Sequence, residues 1–456
     1  MKASSSRTLD MTTGSPLRLL LAFALPIFLG NLLQQFYNLA DTALAGHILG
    51  DAALAQIGAT AALYSLLTSL AIGITNGFAL LISHAFGCQD ETRLRQASCQ
   101  MVLWTGILAA LLTVGFLLAV RPLLVLLKTP ADTMEGALSY ITVILIGIPL
   151  ILAYNLESSM LRAVGNSLAP LIFLAISCGF NVVLDVLFMG VFHFGVIGAA
   201  AATVTAQAFS VLAGFLYILK NYPVLRFSKK DLHVPAAFIG EMLAAGFSMA
   251  LMNIIFSIGS VVLQSSINAL GSVYIAAQVG GRRLVEVFMM PGSALGISMA
   301  TYSSQNYGAG KRRRIWNGVK AAFFLYVSWW VIAMIFVLFF ASDAVRLVTG
   351  STNETVISSA LLYIRCSITL FPPMGFLVIM RNTLQGTQHQ IAPVLCSSLE
   401  LIGKVLFSIY LVPVYGYPAV CACEPATWLI CFVFICIAAF LFRDEFSDSA
   451  KVSSAS

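Results

Sequence analysis

Residues 25–46 read LPIFLGNLLQQFYNLADTALAG. The stretch carries no lysine or arginine, and with the apolar residues before it, it exceeds the about 20 residues a helix needs to cross a bilayer. One acid, Asp41, stands inside it with no basic residue three or four positions away. A lone ionisable side chain at the centre of a membrane helix costs about 2.5–3.5 kcal/mol on insertion scales, and such groups mark ion or substrate pathways. Asp185 repeats the situation in a later apolar run, and Asn181, four residues before it, shares its helix face.

The whole chain is built like that stretch. Of its 456 residues, 59% are hydrophobic and 10% charged, against about 45–50% and about 25% in soluble domains. The pattern is not the period-2 alternation of an outer-membrane barrel, so it predicts an all-α integral membrane protein. Runs bounded by turn or charge signals give twelve spans, at roughly 16–46, 52–85, 97–127, 136–157, 167–190, 195–219, 237–268, 272–304, 315–341, 355–380, 391–412 and 417–442. The first, second, seventh and eighth exceed a simple crossing. Pro26 and Pro291 are placed to bend the first and eighth. The polar start MKASSSRTLDMTTGSP does not read as a cleavable signal peptide.

Charge asymmetry orients the spans. With the N-terminus in the cytoplasm, inner loops and tails collect Lys2, Arg7, Arg18, Arg93, Arg95, Arg162, Lys220, Arg226, Lys229, Lys230, Lys311, Arg312, Arg313, Arg314, Lys320, Arg381, Arg443 and Lys451. The outer side keeps Arg121, Lys128, Arg346 and Arg365. The positive-inside rule then puts both termini in the cytoplasm, in a cell (inner) membrane. The net charge of +6 is thus topology and not nucleic-acid binding. Nine cysteines include no CxxC pair, and most fall in apolar runs, where cysteine packs as a small hydrophobe.

The spans also repeat. Ala55-Gln56-Ile57-Gly58 returns as Ala277-Gln278-Val279-Gly280, Phe86-Gly87 as Tyr307-Gly308, and Ala169-Pro170 as Ala392-Pro393, each after about 222 residues. Six spans per half make the halves parallel, the arrangement of transporters with two lobes. The expected organisation is a tail (1–15), an N-lobe (16–220), a linker (221–235, NYPVLRFSKKDLHVP), a C-lobe (236–442) and a second tail (443–456).

With LPIFLGNLLQQFYNLADTALAG (25–46), LRAVGNSLAP (161–170), GVIGAAAAT (195–203) and QNYGAGKRRR (305–314), the chain resembles the multidrug and toxic compound extrusion (MATE) family across nearly its whole length. The resemblance is to the prokaryotic branch with an N-lobe aspartate pair. It implies a Na⁺ or proton site formed by Asp41, Asn181, Asp185 and Thr203, with a carbonyl near Ala199. Span direction places Asp41, Asn181, Asp185 and Thr203 together in the outer half of the membrane. An oxygen-rich set with two carboxylates suits Na⁺ or a proton and not a soft metal.

Other residues are weighed from spacing. Gln34, Tyr37, Asn38, Met252, Phe256 and Met289 lie on spans that would line a substrate cavity, where methionine and aromatic groups accommodate organic cations. Glu286 follows Arg282 by four residues and Glu400 precedes Lys404 by four, so either is a self-neutralising helical pair. Glu424 has no cation at helical spacing. The repeat sets Glu400, Lys404 and Glu424 opposite Ser177, Asn181 and Thr203, so the three are expected to gather as a second polar site. The five histidines sit near span ends without ligand spacing, and no phosphate loop or Ser-His-Asp signature occurs.

The expected function is cation-coupled export of small, mostly cationic organic compounds by alternating access. The protein is expected to be a monomer with lipid around it, no nucleic-acid partner, no enzymatic activity and no cofactor beyond the coupling ion, Na⁺ or H⁺. The alternative is a flippase for a lipid-linked oligosaccharide or cell-wall precursor. That would favour a strongly basic cavity, and the sequence offers few intramembrane cations to supply one (Arg282, Arg283, Lys404).

Overall fold

The computed structural model describes residues 8–442, so Lys2, Arg7, Arg443 and Lys451 lie outside the described residues. Ten helices among those residues are long and apolar enough to cross a membrane, and two bent helix pairs bring the number to twelve. The first half runs α1 (Pro16–Leu49), α2 (Asp51–Gly87), α3 (Glu91–Leu126), α4 (Ala131–Ile146), α5 (Ile148–Ala163), α6 (Leu168–Asp185) and α7 (Gly195–Asn221). The second half runs α8 (Ala236–Ala269), α9 (Ser272–Gly308), α10 (Arg312–Thr349), α11 (Glu354–Thr369), α12 (Phe371–Gly386), α13 (Ile391–Leu406), a short α14 (Val412–Tyr415) and α15 (Tyr417–Leu441). Large apolar side chains such as Leu111, Leu118, Leu338 and Phe339 stay exposed. Patches of that kind suit a lipid solvent and not water.

The halves correspond element by element. α1 and α8 have 34 residues each, and α2 and α9 have 37 each. α4, α5, α11 and α12 have 16 each. Backbone strain repeats too: Gly50 (φ 81°) has its counterpart in Gly271 (φ 102°), and Gly195 (φ 60°) in Gly416 (φ 63°). Glycine adopts these left-handed angles without a Cβ penalty, so each repeat makes the same tight connection.

Pro26 and Pro291 lie inside α1 and α9, which continue unbroken past them. The breaks fall in the fourth and tenth spans, with bends of 46° between α4 and α5 and of 54° between α11 and α12. Pro149 and Pro372, in the first turn of the second helix of each pair, explain the position: a ring there lacks the N–H that would continue the preceding helix. The breaks carry α5 and α12 further along than the simple spans predicted. Arg162 and Arg381 are therefore not loop residues but helical ones. Arg162 donates to Asn76 and Ser159, and Arg381 reaches Glu400.

The compact units do not divide at the 221–235 segment. Among the described residues, one comprises the stretch up to Asp10 with Leu29–Ala250, and the other Met11–Phe28 with the stretch from Leu251 onward. The first part of α8 thus belongs with α2–α7. The reason is a close backbone approach: Gly73 and Gly77 on α2 face Ala245, Gly246 and Ala250 on α8, where an added Cβ would collide with backbone atoms. Small residues four apart on both helices are how membrane helices pack without a hydrophobic driving force between them.

Gly77→Leu is expected to cost about 1–3 kcal/mol through overpacking. Thermal unfolding in detergent checks this, with Gly106→Leu, whose Cβ would meet open space, staying at the wild-type midpoint.

Candidate functional site

In the first unit α6 and α7 pack antiparallel, with α1 and α4 alongside. α6 ends at Asp185 and passes into a π-helical turn, Val186–Val191, closed by Phe192 N–H to the Leu187 carbonyl at 2.8 Å and Phe194 N–H to the Phe188 carbonyl at 2.9 Å. Single π turns recur at functional positions because they re-aim side chains within a helix. Here the turn leaves Asp185 wholly buried and Asn181 at 1% exposure.

The structure brings together Asp41, Asn181, Asp185, Thr203 and Ala199. Asn181, with its amide nitrogen turned to Asp185, donates to Oδ2 at 2.9 Å, and its oxygen accepts from the Thr203 backbone N–H at 3.1 Å. The Thr203 hydroxyl donates to the Ala199 carbonyl at 3.1 Å and accepts from the Tyr37 hydroxyl at 3.4 Å. Asp41 lies near enough to Asp185 for their charges to interact. Asp41 Oδ1 and Asp185 Oδ1 are buried without any hydrogen-bond partner. Two carboxylates this close require a proton or cation between them. The orphaned oxygens, Asn181 and Thr203 form an oxygen set that fits either. Among the described residues no three His, Cys, Asp or Glu side chains converge, so no divalent-metal cage of that kind stands here.

Two tyrosines that spacing did not single out lie nearby: Tyr64 and Tyr140 are both close enough to feel the Asp41 charge, and Tyr140 feels Asp185 as well. The repeat held the signal for one of them: Tyr140-Ile141 returns as Tyr363-Ile364.

The second unit gathers the other predicted cluster. Lys404 Nζ lies 3.1 Å from Glu400 Oε1 and 3.7 Å from Glu424 Oε1. Arg381 Nη1 lies 3.5 Å from Glu400 Oε2, and the Tyr363 hydroxyl donates to Glu424 Oε2 at 2.8 Å. The Lys404 ammonium also sits 4.4 Å from the centre of the Phe256 ring. Arg381 and Tyr363 are the members that spacing did not reveal. Glu286 is not part of this group, being paired with Arg282 at 2.8 Å along α9.

The cavity candidates divide between the units. Gln34 donates to Asn38 one turn later at 3.3 Å, and Tyr37 joins the aspartate site. In the second unit Met252 accepts from Gln385 at 2.9 Å, Phe256 covers Lys404, and Met289 is half-buried.

Comparison with known proteins follows the same division. The MatE family model matches residues 26–187 and 248–409, two stretches of equal length, one in each repeat. A probable multidrug resistance protein of Bacillus subtilis, YpnP, is 30% identical over 311 residues, covering 67% of this chain and 68% of that protein. A FAD transporter of Shewanella oneidensis is 25% identical over 402 residues, covering 85% and 86%. The solved outward-facing conformation of a multidrug resistance MATE family transporter of the MOP superfamily matches with a TM-score of 0.88. It is 20% identical and covers 97% of this chain and 99% of that one, a likeness of fold.

Removing one partner of a buried ion pair strands the other's charge. Lys404→Met is expected to lose about 3–5 kcal/mol of stability on that ground, read as a lower unfolding midpoint and lower yield. Adding Glu424→Gln should recover part of the loss.

Proposed function

Because this chain belongs to the MatE family, we propose that it is a cation-coupled antiporter, driven by Na⁺ or H⁺, that exports small, mostly cationic organic compounds by alternating access. The observation that carries this reading is the Asp41–Asp185 pair, two neighbouring carboxyls with an orphaned oxygen each and no basic side chain paired with them among the described residues. The multi-pass protein would lie in the cell (inner) membrane with both termini in the cytoplasm, and work as a monomer without a cofactor.

The pair explains how two cargoes exclude each other. Empty of ion, it presents negative charge that favours a cationic compound. A proton or Na⁺ from outside neutralises it, with Asn181 and Thr203 completing the oxygen set. The attraction for the organic cation is then lost and the compound leaves. The inward swing releases the ion to the cytoplasm and restores the charge. A membrane potential supplies about 2.3 kcal/mol per net charge per 100 mV. At about 1.4 kcal/mol per tenfold, that supports roughly 40–50-fold accumulation for each charge moved.

The flippase alternative fits less well. A pyrophosphate-bearing cargo calls for uncommitted cations, whereas Lys404 and Arg381 are held by Glu400 and Glu424, and Arg282 by Glu286. The FAD transporter among the relatives keeps an anionic small-molecule cargo as an outcome of the test.

Proteoliposome transport of ethidium, with Na⁺ and pH gradients imposed separately, tests the proposal. Asp41→Asn should abolish gradient-driven ethidium movement while leaving yield near wild type. Asp185→Asn should weaken the gradient dependence more than ethidium affinity. Wild-type coupling in Asp41→Asn would refute the assignment.

A further inference from the structure

Glu157 lies on α5 at 7% exposure, with no ion pair among the described residues and no part in the aspartate site. Its carboxyl is seated in a gap made for it: Oε2 occupies the space a Cβ on Gly214 of α7 would take, and the same gap borders Phe173 of α6. α6 and α7 are the two helices that carry Asn181, Asp185 and Thr203.

Their register locates Glu157 relative to that site. Asn181 meets Thr203, the Ser177 hydroxyl donates to the Ala206 carbonyl at 3.1 Å, and the Ser210 hydroxyl donates to the Phe173 carbonyl at 3.5 Å. Eleven residues of α7 separate Thr203 from Gly214 and twelve of α6 separate Phe173 from Asp185, so Glu157 stands about 16–18 Å along the helix axes from the aspartates. On the proposed topology this is toward the cytoplasm. Ser177 and Ser210 mark the turns between.

The surroundings select the ligand. The titratable neighbours are Tyr154 on α5 itself, which feels Glu157, Arg162 and Cys178 of α6. Arg162, on the same helix, is committed to Asn76 and Ser159. Among the described residues no basic side chain forms an ion pair with Glu157. A single carboxyl against glycine and phenylalanine offers too few oxygens to dehydrate a metal cation. A proton neutralises it with no further ligand.

We propose that Glu157 is a second proton-binding site of the N-lobe and receives the coupling proton between the aspartate pair and the cytoplasm. The inference rests on the antiport reading and narrows its coupling ion to H⁺.

Infrared titration of the full chain in lipid vesicles reads the site directly. Glu157→Gln should remove a pH-dependent band of a buried protonated carboxyl that Asp41→Asn retains. Gly214→Ala, which crowds the carboxyl out of its seat, should shift that band's midpoint. In proteoliposomes Glu157→Gln should lose ethidium movement driven by a pH gradient. Since the substitution removes a buried acid without changing its shape, its unfolding midpoint should not fall. An unchanged band in Glu157→Gln overturns the site. Intact pH-driven movement in Glu157→Gln beside its loss in Asp41→Asn overturns the relay and leaves the antiport reading standing. Transport driven by Na⁺ alone does the same. Intact driven movement in Asp41→Asn sinks the antiport reading, and the relay with it, while the band still decides whether Glu157 binds a proton.

Discussion

Charge without a counter-charge, held in an apolar medium, organises this molecule. Asp41 and Asp185 adjoin, and each keeps one buried oxygen to which nothing donates. In water that arrangement is unremarkable; between membrane helices it is tolerated only where a small cation or proton completes it. The surroundings follow from that need. Asn181 spends both ends of its amide, one on Asp185 and one on the α7 backbone, and so fixes the acid's direction. Tyr37 holds Thr203 from the other side. The π turn after Asp185 lets the acid stay buried while the chain leaves the helix.

The two halves put one scaffold to opposite electrostatic uses. Both have a long first helix, a bent fourth span, a π turn at the end of the fifth and a glycine of positive φ before the last. Both place a tyrosine, Tyr140 or Tyr363, near an acid. In the first half Asp41 and Asp185 have no basic partner among the described residues. In the second, Lys404 stands where Asn181 does, and Glu400, Glu424 and Arg381 neutralise one another around it. Buried ion networks of that kind hold geometry more than they add stability. The first half thus holds its two buried acids without a basic partner among the described residues, whereas the second holds its acids in an ion-paired network.

Glycine sets where the compact units divide. Lipid tails are as apolar as leucine, so helices meet where backbones can approach closely. Gly73 and Gly77 on α2 give α8 such a face. That contact draws the first part of α8 into the unit formed by α2–α7, although the polar segment 221–235 separates it in sequence.

The sequence by itself determined the membrane class, the number of spans and the repeat, and it singled out the two acids that lie close together in the first half. Hydrophobic length and isolated charge are local properties, and lipid allows few ways to satisfy a backbone other than a helix. It also brought Glu400, Lys404 and Glu424 together, because a repeat converts position in one half into position in the other. Tertiary structure alone decided the rest. Arg162 and Arg381 read as loop charges, since nothing local announces that a bent span carries them into a helix. Tyr64 feels the Asp41 charge from another helix, and Gly214 leaves room for Glu157 from two helices away. Such contacts depend on the rotation and depth at which helices pack, and those are set by side-chain shapes on both partners at once.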